Sequence, residues 1–216
     1  MRNHLAVPPL YVILDAALLP SDPIQLTNNL LSAGARRFQY RNKTASAREL
    51  LHASQALCLT VRQLGGTFVV NDRADVARLA GANGVHLGQE DLSVGAARKI
   101  VGRDCIIGIS THNLQQFREA IRGDADYIAV GPVFATGSKT KPDPVVGIEF
   151  LRQARKLTAK PIVAIGGITL ERAQEVIDAG ADSIAVIRDI LSAKNPAARV
   201  SQYLEILPAA AQPARN

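Results

Sequence analysis

Eight short runs of apolar residues recur along the chain, and several of them are rich in Val and Ile. They span residues 10–14, 37–40, 67–70, 84–87, 105–109, 127–130, 161–165 and 183–187. Continuous apolar runs of this length are typical of strands that are buried on both faces of a parallel sheet. The pattern therefore predicts eight buried strands.

The segments between these runs place apolar residues at helical spacing and charged residues on the opposite face, as in residues 47–64 and 169–179. Strands that alternate with helices predict a parallel sheet with right-handed crossovers. Eight such units in one chain of 216 residues predict an α/β fold, a single-domain (β/α)8 TIM barrel. A doubly wound open sheet is the alternative, although no G-x-G-x-x-G motif follows the first run.

Glycines and the two ends of the chain refine this domain assignment. Gly34, Gly81 and Gly180 each stand in a Gly-Ala pair before an apolar run, where glycine commonly ends a helix. We expect the barrel to occupy residues 1–207. Residues 208–216 lack apolar anchors, and we expect a disordered tail there.

Composition narrows the range of functions. Hydrophobic residues make up 47% of the chain and charged residues 20%, which is ordinary for a globular domain, whereas aromatic residues make up only 4%. So few aromatic side chains disfavour base stacking on single-stranded nucleic acid. The formal net charge of +6 is scattered rather than clustered, which is typical of a solvated helical surface. Scattered charge favours a site for a small anionic ligand, or no ligand at all, over a nucleic-acid groove.

The cysteines and the hydropathy of the chain indicate in which cellular compartment the protein is expected. Cys58 and Cys105 do not have the spacing of metal ligands or of a disulfide framework. We find no apolar run long enough to span a bilayer and no signal-peptide pattern at the N-terminus. We therefore expect a cytoplasmic protein with small-molecule substrates and no membrane partner, of an oligomeric state that the sequence does not specify.

Polar and glycine-rich residues follow the apolar runs at their carboxyl ends. Gln39, Arg41 and Lys43 alternate in one such segment, and a strand would place all three on one face. Asn71 follows the third run, and Ser110 follows the fifth. Because the loops after the strands build the active site of this type of barrel, these positions are candidate site residues.

Cations and glycines at these ends indicate an anion site. Arg41, Lys43 and Lys139 are suited to an anion with several oxygen atoms. We expect Gly166 and Gly167 to open a helix whose free N–H groups face the barrel mouth, which is a favourable phosphate site. A tight turn that needs glycine accounts for this pair equally well.

Two carboxylates follow neighbouring strands, Asp72 after the third and Asp91 after the fourth. Mg²⁺ is commonly held by one or two carboxylates together with substrate phosphates, so a magnesium site is one interpretation. The other is that each Asp caps the helix that follows it. Together with the cations and glycines, the pair favours the metal interpretation.

The histidines and the possible nucleophiles give weaker indications of function than the cations and carboxylates do. His86 and His112 lie near strand ends, where either an acid–base role or a packed, hydrogen-bonded role is compatible with the sequence. We find no Ser/His/Asp arrangement with a defensible spacing, which disfavours nucleophilic hydrolysis. The residues alone therefore indicate a barrel enzyme that binds a polyphosphate with Mg²⁺ and a second, monophosphorylated ligand.

Six segments of the sequence resemble one enzyme family: "QYRNK", "VNDRADVA", "GVHLGQEDL", "GISTHN", "YIAVGPVFATGSKT" and "VAIGGIT". The chain resembles the thiamine phosphate synthase (thiamine-phosphate pyrophosphorylase) family over almost its whole length. The resemblance implies a Mg²⁺-assisted transferase of thiamine biosynthesis. Such an enzyme joins an aminopyrimidine hydroxymethyl diphosphate to a thiazole phosphate, after dissociative loss of pyrophosphate.

The resemblance also implies roles for individual residues. The implied metal ligands are Asp72 and Asp91. The implied catalytic residues are Arg41, Lys43, Ser110 and Lys139. The implied substrate-binding residues are Gln39, Tyr40, Arg41, Asn42, Lys43, Asn71, Ser110, Thr136, Gly137, Ser138, Lys139, Gly166, Gly167, Ile187 and Arg188.

Two departures from the family pattern stand out. Tyr40 and Asn42 occupy positions where the family often has Leu and Glu, and both fall between the three alternating polar positions. Arg188 stands where the family often has Ser. A backbone N–H contact to phosphate would survive this change, and the Arg188 side chain either pairs with the phosphate or turns towards Asp189.

Two rival functions remain at the level of sequence. A thiazole tautomerase on the same barrel would need an acid–base residue and no diphosphate site, and Arg41, Lys43, Asp72, Asp91 and Lys139 argue against it. A non-catalytic barrel that binds a phosphorylated ligand and regulates a partner would have no use for a metal and leaving-group set.

Overall fold

The computed structural model describes residues 7–137 and 143–208, and within them eight parallel strands form a closed barrel in sequential order. The barrel closes where β8 pairs with β1, with Leu10 opposite Ile184. The strands are β1 Leu10–Asp15, β2 Arg37–Arg41, β3 Thr67–Asn71, β4 Gly84–Leu87, β5 Ile106–Thr111, β6 Tyr127–Val130, β7 Ile162–Ala164 and β8 Ser183–Val186.

Helices follow the strands and surround the barrel. A short 3-10 helix, Ala16–Leu18, comes directly after β1. The α-helices of the described residues are α1 Pro23–Ser32, α2 Ala47–Gln63, α3 Ala74–Leu79, α4 Val94–Val101, α5 Leu114–Arg122, α6 Gly147–Leu157, α7 Leu170–Asp178, α8 Arg188–Leu191 and α9 Pro196–Ile206. The predicted (β/α)8 barrel is confirmed.

Local sequence signals fix the ends of several helices. Helix α2 begins with a capping box: the Ser46 hydroxyl accepts from the Glu49 N–H, and the Glu49 carboxylate accepts from the Ser46 N–H. Gly34, Gly81 and Gly180 follow helix ends and have φ angles of 104°, 66° and 106°, which are rarely adopted by residues with a side chain. The predicted helix stops are therefore confirmed.

Two apolar layers hold the barrel together. Outward-facing strand residues such as Phe38 and Val70 pack under the helices in a large aliphatic layer. Inward-facing residues, among them Ile13, Val69 and Val163, fill the barrel interior with mostly small side chains. The inner layer does not fill the barrel at the carboxyl ends of the strands. A cavity lined in part by polar side chains lies there.

The predicted strands agree with the observed ones to within two residues at each end. The fifth strand extends further than predicted, to Thr111, and the seventh is shorter, Ile162–Ala164. The expected tail at residues 208–216 lies, apart from residue 208, outside the described residues, as do residues 1–6 and 138–142. Across the described ranges, no helix is long and apolar enough to cross a membrane.

Candidate active site

A cavity of about 1150 Å³ opens at the carboxyl ends of the strands. The predicted site residues that line it are Gln39, Arg41, Lys43, Asn71, Asp72, Asp91, Ser110, Thr136, Gly137, Gly166, Gly167, Ile187 and Arg188. Residues that are distant in sequence thus meet around one opening, as the barrel rule for strand ends predicts. Ser138 and Lys139 lie outside the described residues.

The segment from Gln39 to Lys43, which ends β2 and enters the following loop, follows its alternating pattern only in part. Gln39 and Arg41 are strand residues that face the cavity, whereas Lys43 lies two residues beyond the end of β2 and reaches the cavity from the loop. Tyr40 is buried in the outer layer, and Asn42 Oδ1 accepts from the backbone N–H groups of Thr44 and Ala45. Neither Tyr40 nor Asn42 lines the cavity, which corrects the expectation that the whole segment faces it.

Arg41 is held by a carboxylate from the neighbouring strand. Its Nη1 lies 2.5 Å from Oδ2 of Asp15, the last residue of β1, whose side chain is 8% exposed. The other Asp15 oxygen accepts from the Ala17 N–H at 3.1 Å and caps the 3-10 helix. A charge-assisted bond at this depth orients the guanidinium within the cavity wall.

Asp72 and Asp91 lie close together and do not cap helices. Arg73 is the N-cap residue of α3 and Ser93 that of α4, which excludes the capping interpretation for both carboxylates. Burial raises the pKa of Asp72, and the neighbouring Asp91 adds to the rise, while the Lys43 ammonium at 2.5 Å opposes it. Two crowded carboxylates beside one lysine are a favourable environment for a further cation.

The backbone at Asp72 is unusual. Its φ angle is 65°, and within the described residues no other non-glycine residue has a positive φ. Asp tolerates this left-handed region better than most residues, but the conformation is uncommon. The Asp72 N–H donates to the His86 carbonyl at 2.7 Å, which ties the residue to the end of β4. In this conformation the Asp72 side chain lines the cavity.

Gly166 and Gly167 lie on the opposite side of the cavity, in the loop before α7. Their φ angles are 90° and 65°, and added Cβ atoms would come within 2.4 Å of Pro132 and of the Ala135 carbonyl. The helix itself begins only at Leu170, which corrects the expectation that the two glycines open it. They allow the loop after β7 to pack closely against the loop after β6.

Arg188 faces the same side of the cavity. Its Nη2 donates to the Gly137 carbonyl at 3.2 Å, which links the residue after β8 to the loop after β6. Asp189 instead accepts from the Tyr203 hydroxyl at 2.7 Å and lies 3.5 Å from Arg199. Of the two predicted orientations of Arg188, the structure has the one directed towards the cavity.

Both histidines near the strand ends are hydrogen-bonded. His86 Nε2 lies 2.9 Å from the Ser110 hydroxyl, and its Nδ1 lies 2.8 Å from the Tyr127 hydroxyl. His112 Nδ1 lies 2.5 Å from the Gly131 carbonyl, and its Nε2 lies 3.4 Å from Asp143. Both side chains also line the cavity, so packing and a position at the site coexist.

Several residues that line the cavity, and Asp15 beside it, were not predicted from the sequence. Asp15 ends β1 in the same way that Asn71 ends β3, so the rule for strand ends applied to β1 would have found it. Gln89 Nε2 donates to the Ser110 carbonyl at 2.5 Å. The residue lies in the segment "GVHLGQEDL", but nothing in the sequence distinguished it from its neighbours. Arg172 and Arg199 come from helices and are brought to the cavity by packing.

Comparison with known proteins agrees with this geometry. A family model described as thiamine monophosphate synthase matches residues 10–190. The chain belongs to this family. The matched region runs from the first residue of β1 into α8 and contains every described site residue that the sequence predicted.

Individual relatives cover nearly the whole chain. A thiamine-phosphate synthase of Koribacter versatilis (strain Ellin345) is 48% identical over 96% of this chain and 99% of its own length. One of Chlorobium phaeovibrioides is 45% identical over 88% and 89%. A solved thiamine phosphate pyrophosphorylase from Pyrococcus furiosus superposes with a TM-score of 0.84 at 36% identity, over 91% of this chain and 94% of that one.

Proposed function

We propose that this protein is a thiamine phosphate synthase, which transfers an aminopyrimidine methyl group from its diphosphate to the nitrogen of a thiazole phosphate. The observation that carries the proposal is the division of the cavity into two sides. Arg41, Lys43, Asp72 and Asp91 follow β2 to β4, whereas Gly166, Gly167 and Arg188 follow β7 and β8, on the far side of the closed barrel.

The side of the cavity that carries Arg41, Lys43, Asp72 and Asp91, here called the β2–β4 side, suits the diphosphate. Arg41 offers a planar fork that is already oriented by Asp15, and Lys43 offers a point charge from a side chain that is 54% exposed. Cations in these positions can stabilise charge that develops on a leaving group. Asn71, at the end of β3, adds an amide close to them.

Asp72 and Asp91 would hold Mg²⁺ on this side. The fit is supported by the raised pKa of Asp72, because a site that disfavours two neighbouring carboxylates favours a cation that both can share. Two carboxylates with substrate phosphates form a typical magnesium environment. When bound, the metal would neutralise charge on the departing pyrophosphate.

The reaction needs no protein nucleophile. The C–O bond to the diphosphate breaks first, and its electron pair leaves with pyrophosphate, while the amino group of the pyrimidine stabilises the methyl cation. The thiazole nitrogen then donates its lone pair to form the C–N bond. Apolar side chains such as Ile13, Ala129 and Val163 line the depth of the cavity, where water would otherwise capture the cation.

The β6–β8 side suits the phosphate of the thiazole. Phosphate sites of this barrel type are frequently built from the loops after the seventh and eighth strands. Gly166 and Gly167 provide backbone there without side chains, and Thr136 provides a hydroxyl from the adjoining loop after β6. Arg188 supplies a positive charge that is fixed to the loop after β6 through the Gly137 carbonyl.

The test is to incubate the purified protein with both substrates and Mg²⁺ and to measure pyrophosphate and thiamine phosphate together. We expect equimolar formation of the two products, dependent on each substrate. Chelation of the metal should stop the reaction and added Mg²⁺ should restore it. Equal turnover in excess chelator would reject the metal assignment while leaving the transferase intact.

Control reactions separate the rival functions. A tautomerase would convert the thiazole substrate alone and would release no pyrophosphate from the complete mixture. A non-catalytic binding protein would produce neither change. Arg41→Met provides a matched variant, because it removes the charge at the diphosphate side and keeps an unbranched side chain. We expect it to lower turnover by roughly 100-fold, as for loss of one transition-state contact.

A further inference from the structure

Arg37, the first residue of β2, is buried inside the barrel with its charge. It is 1% exposed, and its Nε and Nη2 atoms have no hydrogen-bond partner in the described part of the chain. The guanidinium carbon lies 4.5 Å from the ring centroid of Tyr11 and 4.3 Å from that of Tyr127. Contact with two aromatic faces offsets part of the desolvation of the cation.

A chain of hydrogen bonds leads from these tyrosines to the cavity. Gln39 Nε2 donates to the Tyr11 hydroxyl at 2.9 Å, and the Tyr11 and Tyr127 hydroxyls are 3.3 Å apart. The Tyr127 hydroxyl meets His86 Nδ1 at 2.8 Å, and His86 Nε2 meets the Ser110 hydroxyl at 2.9 Å. Tyr127 is fully buried, whereas Ser110 lines the cavity, so the chain connects the barrel interior to the site.

Strand register makes this connection possible. His86, Gly108 and Tyr127 are direct neighbours across β4, β5 and β6. A Cβ atom on Gly108 would lie 2.0 Å from the Tyr127 ring, so the glycine leaves the space through which this ring reaches across β5. The His86 and Tyr127 rings then stack, with centroids 5.6 Å apart and an interplanar angle of 22°.

The distances in this chain of hydrogen bonds are compatible with two opposite directions of donation, of which one runs from Tyr11 to Ser110. In this direction the Tyr11 oxygen accepts from Gln39 and its own proton points to the Tyr127 oxygen. Tyr127 then donates to His86 Nδ1, and burial raises the pKa of Tyr127 well above its ordinary value, which keeps that proton on the phenol. His86 in turn carries its proton on Nε2 and donates to the Ser110 hydroxyl.

The buried charge of Arg37 favours this direction over the reverse one. A cation repels the positive ends of nearby O–H dipoles, and the repulsion is strong where water does not screen it. With the protons displaced from the tyrosines towards Ser110, the hydroxyl dipoles point away from the guanidinium. In the reverse arrangement His86 would donate from Nδ1 towards Tyr127 and hence towards the cation.

We propose that Arg37 and Tyr127 are positioning residues that fix His86 as the Nε2–H tautomer, so that Ser110 presents its hydroxyl proton to the pyrimidine substrate. The Ser110 oxygen accepts from His86 and its proton is directed into the cavity, where a heteroaromatic nitrogen is a matching acceptor. The role of Ser110 rests on the proposed function, whereas the tautomer of His86 does not.

The tautomer is measured by ¹⁵N NMR of the histidine-labelled free protein, with the His86 signals assigned by their loss in His86→Asn. We expect a protonated Nε2 and an unprotonated Nδ1. Arg37→Met keeps an unbranched side chain without the charge, and Tyr127→Phe removes only the hydroxyl. In both variants we expect the Nδ1–H tautomer to become populated.

Steady-state kinetics provide the second readout. Because the Ser110 bond serves binding of the pyrimidine, both variants should raise KM for the pyrimidine diphosphate about tenfold, with smaller changes in kcat and in KM for the thiazole phosphate. Ser183→Ala is the matched control. It removes another fully buried hydroxyl at the amino end of the barrel that lacks a partner among the described residues, and it should change neither readout.

Two results would overturn the inference: a wild-type His86 protonated on Nδ1, or an unchanged tautomer and KM in Tyr127→Phe. The Tyr127→Phe variant decides the question even if Arg37→Met does not fold, because only one buried hydroxyl is lost. The spectra of the free protein are independent of turnover. A protein with the expected tautomer that releases no pyrophosphate would refute the proposed function and the role of Ser110, but not the role of Arg37.

Discussion

The Asp15 carboxylate lies 2.5 Å from the Arg41 guanidinium across the junction of β1 and β2. Asp15→Asn removes the charge of this pair but keeps an oxygen for the Ala17 N–H. We expect kcat to fall about tenfold without a rise in KM for the pyrimidine diphosphate, because the freed Arg41 attracts the diphosphate more strongly but holds it less accurately. Steady-state kinetics at varied pyrimidine concentration measure the two constants separately.

The control for Asp15 is Asp22→Asn. Asp22 is an exposed N-cap whose oxygen accepts from the Gln25 N–H at 2.9 Å, and Asn caps helices equally well. Both variants lose one negative charge, so a general electrostatic effect on an anionic substrate would alter both alike. A raised KM with an unchanged kcat in Asp15→Asn would show that Asp15 does not orient Arg41 for the reaction.

We expect Asp72→Asn to lower the turnover of the enzyme without lowering its stability. Burial and the nearby Asp91 make the Asp72 carboxylate unfavourable in the metal-free protein, and Asn also tolerates the φ angle of 65°. We expect thermal unfolding in chelator to show an unchanged or higher midpoint. Turnover should fall by roughly 100-fold because a charge that would hold the metal is lost.

Asp75→Asn serves as the comparison for Asp72→Asn. Asp75 lies on α3, three residues further along the chain, and pairs with Arg73 at the surface, away from the cavity lining. An exposed ion pair contributes little to stability, so this variant should retain both its unfolding midpoint and its turnover. Wild-type kinetics and an unchanged Mg²⁺ dependence in Asp72→Asn would refute the metal assignment.

Gly167→Ala should disrupt the β6–β8 side of the cavity. The new Cβ would lie 2.4 Å from the Ala135 carbonyl and 2.8 Å from Phe134 Cβ, so the loop after β6 must move. Gly65→Ala is the matched control, because its φ of 72° imposes the same backbone strain in open space, at the other end of the barrel. We expect Gly65→Ala to cost about 1 kcal/mol of unfolding free energy and no activity.

The two glycine variants are compared by chemical denaturation and by turnover. Gly167→Ala should be the less stable of the two and should have a raised KM for the thiazole phosphate. Equal stability and normal kinetics in both would mean that the close approach of the two loops is not needed at this site.

Arg188→Ala tests the residue that replaces the usual Ser of the family. If its charge contacts the thiazole phosphate, KM for that substrate should rise roughly tenfold while KM for the pyrimidine diphosphate stays constant, because loss of one charged hydrogen bond has about this effect. Arg118→Ala, on the exposed face of α5, is the control for the change in net charge. A matching rise in both KM values would argue for a general loss of positive potential instead.

Most of the fold followed from local pattern. The eight short runs identified all eight strands, and the glycines after α1, α3 and α7 marked helix ends, because burial of a strand and left-handed backbone are each expressed within a few residues. The helical segment at residues 169–179 agrees with α7, but the expectation that Gly166 and Gly167 open this helix was wrong. Gly166 and Gly167 look like a helix entry in sequence, but the contact with the loop after β6 is what requires them.

The sequence predicted the site residues that stand at the ends of strands. It did not predict the side-chain contacts that hold these residues in place. The alternation of Gln39 and Arg41 gave their common face correctly. The same pattern could not show that Asn42 holds its own loop, or that Asp15 reaches Arg41, since both depend on contacts of the folded backbone. Arg37 was only included in the second apolar run, and no pattern along the chain marked it as a buried cation.

The sequence by itself determined the barrel, the set of strand ends that surround the cavity and the family to which the chain belongs, because these follow from periodicities and motifs along the chain. Only the tertiary structure decided that Asp72 faces Asp91 instead of capping a helix, and that Arg37, Tyr127 and His86 form one buried network. Those relationships depend on the register between strands, which places residues that are distant in sequence side by side. No local pattern along the chain encodes this register.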